Sequence, residues 1–371
     1  MARSPIAAHE TAFLDASIHR MLRDALRITL RDPAEALFIW RTLRRQRAAA
    51  ARRQRNAAAG LPVPPLMIAS VTRQCNLHCL GCYDRAQGHR GGGEMSRERL
   101  EKVIAEARDL GMAIILLAGG EPLLRPDILD ITAAFPEVIF PVFTNGLLID
   151  EAMTARLKRQ RNVIPVVSLE GDPDDTDQRR GEGVFERLRP VISGLAGRGV
   201  FFGVSLTVTA RNHQLVTDEA FIRSLMGLGA RLFFFVEYVP VAPGTDDWVL
   251  SDGQRASLLT AVEGFRAHLP GLFVAFPGDE EASGGCVAAG RGFIHVSPEG
   301  RVEPCPFAPY SDADLGVMTL SEALRSPLLR TIRESRDRLR ETRGGCALWR
   351  EREWVSGLEA GRNLAPGSAA R

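Results

Sequence analysis

Cysteine is scarce in this sequence: six in 371 residues, at positions 75, 79, 82, 286, 305 and 346. Thiols so few and so clustered cannot staple a secreted scaffold, so reduced cysteines in a cytoplasmic protein are expected. No apolar run reaches the roughly 20 residues of a membrane span, and no basic start is followed by an uninterrupted apolar segment. Neither a transmembrane helix nor a secretory leader is therefore expected. A charge surplus is missing too: 47 basic and 45 acidic side chains leave a net charge of +2, which gives no electrostatic reason to expect nucleic acid as a partner. Lysine is nearly absent, so the positive charge is almost all arginine, and much of it lies before residue 56.

That arginine belongs to a helical pattern over residues 1–64. Ile18, Met21, Leu22, Leu26, Leu30, Leu37, Ile39, Trp40 and Leu43 recur near helical period, with Arg20, Arg23, Arg27, Arg31, Arg41, Arg44, Arg45 and Arg47 interleaved. Asp32-Pro33 should divide the stretch into two helices. A basic amphipathic extension of this kind packs on the protein's own core or lies on an anionic membrane surface; packing is the expected outcome, with peripheral membrane contact the alternative. Leu61-Pro62-Val63-Pro64-Pro65 then reads as a linker.

From residue 66 onward, β-prone runs at 67–71, 113–117, 138–143, 163–169, 201–207 and 232–238 alternate with helical patterns at 97–110, 127–134, 151–161, 184–198 and 217–228. Such alternation implies parallel strands joined by right-handed crossovers. An open doubly wound sheet and a partial barrel both satisfy it. The turn after the first strand carries three Cys and no G-x-G-x-x-G, which counts against dinucleotide binding. A barrel would gather its functional residues at the carboxyl ends of the strands, and the candidate residues lie there.

The first candidate is Cys75-Asn76-Leu77-His78-Cys79-Leu80-Gly81-Cys82-Tyr83, whose C-x3-C-x2-C spacing points three sulfurs at one centre. A structural zinc site takes a closed tetrahedron of protein ligands, whereas a [4Fe–4S] cluster on three thiolates keeps an iron free. After the second strand comes Gly119-Gly120-Glu121-Pro122, where paired glycines let the backbone approach a ligand and Glu121 can accept from an ammonium group.

Together these segments resemble the radical S-adenosylmethionine (SAM) superfamily, through its cluster loop and its GGEP motif. The resemblance implies a partial (β/α)6 TIM-type barrel in which Cys75, Cys79 and Cys82 hold a [4Fe–4S] cluster whose open iron binds SAM. Tyr83 would lie beside the cluster, and Gly119, Gly120, Glu121 and Pro122 at the SAM amino group. Thr144-Asn145-Gly146 resembles a family turn near SAM, with Asn145 its polar member. Ser168 and Glu170 would meet the ribose or amino acid moiety of SAM, and Thr207, with Ser205, Thr209 and Asn212, its adenine or ribose. Thr176-Asp177-Gln178-Arg179-Arg180 resembles the HDxxR segment of members with a SPASM or twitch extension, with Thr176 in place of His. There a guanidinium grips the SAM carboxylate bidentately, and register selects Arg180 over Arg179 for that task. Glu237, at the end of the sixth strand, is expected to face substrate.

Beyond a further helix at 253–269, alternation on both sides of Pro298-Glu299-Gly300 reads as a β-hairpin. Cys286 precedes its first strand, Cys305 follows its second, and Cys346 comes after a helical stretch at 320–339. Gly284-Gly285 and Gly344-Gly345 leave room for a bulky group beside the thiols. This resembles the twitch or SPASM type of extension and implies one auxiliary [4Fe–4S] cluster. Its fourth ligand is His295, Asp279 or another side chain, or one iron stays open to substrate, the reading preferred here.

The expected chain is thus a basic helical extension (1–64), a radical SAM core (65–275), an auxiliary-cluster domain (276–350) and a tail (351–371). It would take an electron from flavodoxin or ferredoxin, cleave SAM to a 5′-deoxyadenosyl radical, and activate a C–H bond of a peptide, cofactor precursor or lipid. The competing class is a non-catalytic iron–sulfur or zinc protein for electron transfer or sensing.

Overall fold

The computed structural model describes residues 5–30, 32–88, 93–277, 285–340, 346–359 and 361. Asp279, Gly284, Gly344, Gly345 and nearly all of the tail after residue 359 lie outside the described residues.

Among the described residues nine strands form one sheet: β1 (Leu66–Ser70), β2 (Ile114–Ala118), β3 (Phe140–Thr144), β4 (Val163–Leu169), β5 (Gly203–Val208), β6 (Leu232–Glu237), β7 (Leu272–Phe276), β8 (Phe293–Val296) and β9 (Val302–Glu303). Their order is β7-β6-β5-β4-β3-β2-β1-β8-β9, and every pairing is parallel except β8 with β9. Sequential strands are neighbours because each intervening helix returns the chain to the same edge. These connections are built locally. Ser96 caps the helix Arg97–Leu110 by accepting from the Arg99 amide, and Gly111, at φ 107°, ends it. A Ser251–Gln254 capping box starts the helix Asp252–His268.

Ile68, Leu116, Phe143, Ser168, Ser205, Phe234 and Val274, one from each of β1–β7, line a single cavity, so the sheet is curled around it as a partial barrel. A seventh strand, β7, extends the six expected. The hairpin also joins the sheet: β8 lies parallel to β1, with Leu66 opposite Phe293 and Ala69 opposite Val296.

Helices α1 (Pro5–Thr29) and α2 (Pro33–Ala58) precede the barrel. The break falls at Asp32, which caps α2 by accepting from the Ala34 and Glu35 amides, with Pro33 at the first helical position. Leu22, Ala25, Ile39 and Leu43 pack on residues at or near the amino ends of strands, among them Ile164, Leu232 and Leu272. Each large buried aliphatic there contributes roughly 1.5–3 kcal/mol. Polar clamps fix the arrangement: Gln46 donates to the Ala113 carbonyl at 3.2 Å, and the buried Arg53 bonds the Gly111 carbonyl and Asp15. The inner face of the extension therefore closes the barrel floor, as the packing expectation had it. No described helix is long and apolar enough to cross a membrane.

Candidate active site

The Cys75–Cys82 loop leaves the carboxyl end of β1 and is pinned on several sides. The Gly120 amide donates to the Thr72 carbonyl at 2.8 Å, the Glu121 amide to the Gln74 carbonyl at 2.7 Å, and the Leu80 amide to the Arg179 carbonyl at 2.8 Å. Arg73 reaches both Glu299 of the hairpin turn, at 2.6 Å, and Asp84, at 3.1 Å. A Cβ on Gly119 would fall 2.3 Å from the Thr72 oxygen and one on Gly120 2.2 Å from the Gln74 oxygen. The glycine pair is thus required by the close approach of the second turn to the cysteine loop. Cys75, Cys79 and Cys82 are each half-buried and face the cavity. Burial pushes the Cys75 thiol up, and Cys79, Glu121 and Cys82 add to the effect, so these groups share one small volume.

The cavity measures about 320 Å³. Its mouth is polar, with the three thiols, Glu121, Asn145, Arg179, Arg180, Thr207 and Glu237 on the wall. Deeper in, Leu66, Ile68, Leu116, Phe143, Phe234 and Val274 make an apolar lining, and several of these also contact the α1–α2 cluster beneath.

Glu121 joins two of the predicted motifs. Its Oε1 accepts from the Leu123 amide (3.0 Å) and the Thr144 hydroxyl (2.8 Å), and Oε2 accepts from the Asn145 amide (2.7 Å). Burial raises its carboxyl, and the Asn145, Leu123 and Thr144 bonds oppose that. Asn145 donates to Asn76 at 2.7 Å, locking the third turn to the cysteine loop. Pro122 is a correction: it is buried and absent from the cavity wall, opening the short 3-10 turn Pro122–Leu124 that Glu121 caps.

The helix Pro173–Arg180, capped by Asp172 with Pro173 at its first position, carries a pair of guanidiniums to one carboxylate. Glu170 Oε1 meets Arg179 at 2.5 Å and Arg180 at 2.6 Å. Both arginines line the cavity, and Arg179 also donates to Thr207 at 3.2 Å. Register in the sequence pointed to Arg180 alone. The tandem Arg-Arg was the available signal for the second. Ser168 and Thr207 lie on the same wall. The Asn212 amide nitrogen is used on the Glu170 and Thr207 carbonyls, at 2.5 and 2.9 Å, so it clamps two strand ends together. Glu237 lines the cavity and is paired with Arg255 at 2.9 Å.

The second triad is more enclosed. Cys286, Cys305 and Cys346 are 9%, 4% and 9% exposed. Burial raises the Cys305 thiol, with Cys346, to which it is hydrogen-bonded, and Cys286 contributing, so the hairpin and the chain after the helices Leu320–Ala323 and Pro327–Glu334 do converge. His295 is excluded as a further ligand as it stands here. Its Nε2 is 2.8 Å from the Ser70 hydroxyl and its Nδ1 2.7 Å from Glu303, so neither ring nitrogen is spare. Between the triads, Tyr83 packs edge-on against Phe307 with ring centroids 5.2 Å apart. Tyr83 follows Cys82 directly, its hydroxyl bonds to Ser70, and Phe307 lies on the cavity wall two residues after Cys305. Sequence reasoning had assigned no role to Phe307 or Ser70.

Three observations test whether these residues fit an iron–sulfur cluster and SAM. The thiols of the first loop face a cavity, and the glycine pair holds the neighbouring backbone close to their loop. Cys79 and Cys82 both act electrostatically on the Cys75 thiol, so the three sulfur donors lie close together. Arg179, on the cavity wall, has a buried Nε without a partner, and Glu170, which pairs with it from outside the lining, has a buried Oε2 without one. The residues fit.

The chain belongs to the radical SAM superfamily, enzymes that perform radical chemistry with SAM. The model of that superfamily matches residues 69–214, from β1 to just past Asn212. Among similar proteins, the AdoMet-dependent heme synthase of Methanosarcina barkeri is 27% identical over 335 residues, covering 82% of this chain and 93% of the relative. The mycofactocin maturase MftC of Mycobacterium tuberculosis is 30% identical over 272 residues, covering 67% of this chain and 66% of its own. In fold, the chain is similar to Streptococcus suis SuiB bound to its precursor peptide SuiA, with a TM-score of 0.61 at 16% identity over 80% of this chain and 72% of SuiB. The protein is accordingly an enzyme that uses a [4Fe–4S] cluster and SAM, with a SPASM-like extension, on an organic substrate as yet unidentified.

Proposed function

We propose that Cys75, Cys79 and Cys82 hold the SAM-cleaving cluster, that Cys286, Cys305 and Cys346 hold an auxiliary cluster, and that the substrate is a peptide presenting an apolar side chain to the barrel. The single observation behind this reading is the cavity that runs from the first thiol triad down to an apolar lining. Bound at the mouth, the cluster and SAM supply one-electron cleavage of a sulfur–carbon bond and a 5′-deoxyadenosyl radical able to abstract hydrogen from a C–H bond.

The chain's own residues do the positioning. Gly119 and Gly120 keep the second turn against the cysteine loop. Glu121, held by three donors, retains acceptor capacity on Oε2 for an ammonium group. Glu170 fixes Arg179 and Arg180 in one orientation, which suits bidentate capture of a carboxylate. Asn145, Ser168 and Thr207 offer an amide and hydroxyls along the same wall, and Tyr83 backs the loop. Glu237 is the carboxylate placed for substrate, and Arg255 pairs with it. Leu66, Leu116, Phe234 and Val274 exclude water around the reacting C–H bond. The Tyr83–Phe307 contact offers a short route for an electron between the two triads. A flavodoxin or ferredoxin is the reductant of choice, and residues 1–64, 65–275 and 276–350 are read as extension, core and auxiliary region.

Peptide maturation is the first reading because MftC is named a maturase, SuiB is described bound to a precursor peptide, and the lining is apolar. Anaerobic reconstitution should give about eight irons per chain and dithionite-dependent 5′-deoxyadenosine from SAM. Deuterium passing from a labelled candidate peptide into 5′-deoxyadenosine supports the peptide reading. Transfer only from a porphyrin-like or lipid candidate overturns it.

A further inference from the structure

We propose that the outer face of α1 and α2 docks on an anionic lipid bilayer, floor first, leaving the open end of the barrel turned to the water. The inner face of these helices is consumed by packing on strand starts, and the Cys75–Cys82 loop sits at the opposite end of the strands. On the outside, Leu30, Leu37 and Trp40 are 64%, 45% and 46% exposed. They account for three of the six large hydrophobic side chains exposed among the described residues, and they fall within eleven positions around the α1–α2 turn.

Arginines flank them at helical spacing. Arg20, Arg23 and Arg27 are exposed along α1, and Arg41, Arg44 and Arg47 along α2. Of these, only Arg27 meets a carboxylate among the described residues, Asp24 at 3.1 Å, while Arg44 stacks over Trp40 at 5.2 Å. An indole, two leucines and guanidiniums of which five meet no carboxylate among the described residues match an anionic interface: the rings and aliphatic chains enter the acyl boundary, and the arginines reach the headgroups. A second copy of the chain fits poorly, since a self-complementary contact would set these guanidiniums against each other. A soluble polyanion would use the arginines and leave Leu30, Leu37 and Trp40 in water.

Co-sedimentation of the full chain with vesicles tests this. Pelleting is expected with equal parts phosphatidylglycerol and phosphatidylcholine and not with phosphatidylcholine alone. It should fall away in about 1 M salt, where the Debye length is ~3 Å. Replacing Arg41, Arg44 and Arg47 together by Gln should weaken binding roughly a hundredfold. The pair Leu37→Ser and Trp40→Ser should weaken it about tenfold or more. All five side chains are exposed or half-exposed, so the fold should persist, and 5′-deoxyadenosine formation should be unchanged in both variants. That second readout separates failure here from failure of the proposed function. No pelleting, equal pelleting on both vesicles, or loss on the arginine changes alone with no effect of Leu37→Ser and Trp40→Ser would each overturn the proposal, the last by pointing to a soluble polyanion.

Discussion

Cys75, Cys79 and Cys82 stand half-buried on the wall of a cavity, whereas Cys286, Cys305 and Cys346 are almost wholly enclosed behind Phe307. The donors are the same and the access differs. The first triad is flanked by groups that can meet a small polar ligand: Glu121, Asn145, and the Arg179–Glu170–Arg180 cluster with its spare buried atoms. The second is set among apolar residues of the core, and between the two Tyr83 packs edge-on against Phe307. In the proposed assignment, accessibility more than ligand type separates the centre read as meeting substrate from the one read as passing electrons. This shifts the reading of the auxiliary triad away from the substrate-binding role preferred from sequence.

The comparison can be broken by changing one side at a time. Cys82→Ala should reduce 5′-deoxyadenosine to background, while Cys305→Ala should keep SAM cleavage and lose substrate conversion; equal loss in both assays would erase the distinction. Glu170→Gln removes the carboxylate shared by two buried guanidiniums and should cost about 3–5 kcal/mol of stability, read by denaturant titration, together with a raised KM for SAM. Gly120→Ala forces a contact with backbone and should cost about 1–3 kcal/mol or more, with iron lost from the first triad and retained at the second, as iron analysis would record. Phe307→Leu keeps an apolar side chain of smaller volume and removes the ring pair, worth about 0.5–1.5 kcal/mol beyond the lost area, and should slow re-oxidation of the auxiliary cluster without changing SAM binding.

Much of this was legible in the sequence because it is local. The six strand runs between residues 66 and 238 appear within about two residues of their expected places, since alternation and Gly or Pro punctuation are short-range signals. Asp32-Pro33 marked the helix break for the same reason. Long-range pairing was hidden. Nothing near residue 293 announces that β8 adds to β1, a contact spanning more than two hundred positions, nor that Arg73 reaches Glu299. β7, Leu272–Phe276, was missed because it lies at the end of the strand–helix alternation and runs directly into Pro277. Within the site, residue types were readable and bond partners were not. Asn212 looked like a ligand group and is a clamp, and His295 looked like a spare ligand and is bonded at both nitrogens. Arg179 was set aside by register although the fold brings it to the same carboxylate as Arg180.

The claim that one triad is open and the other closed is tested most directly by electron paramagnetic resonance of the reduced, reconstituted protein with and without SAM. In Cys305→Ala, whose remaining intact cluster is held by Cys75, Cys79 and Cys82, added SAM should shift the signal. In Cys82→Ala, whose intact cluster is held by Cys286, Cys305 and Cys346, the signal should stay where it was. A SAM-dependent shift in Cys82→Ala, or none in Cys305→Ala, would contradict the assignment of the two sites.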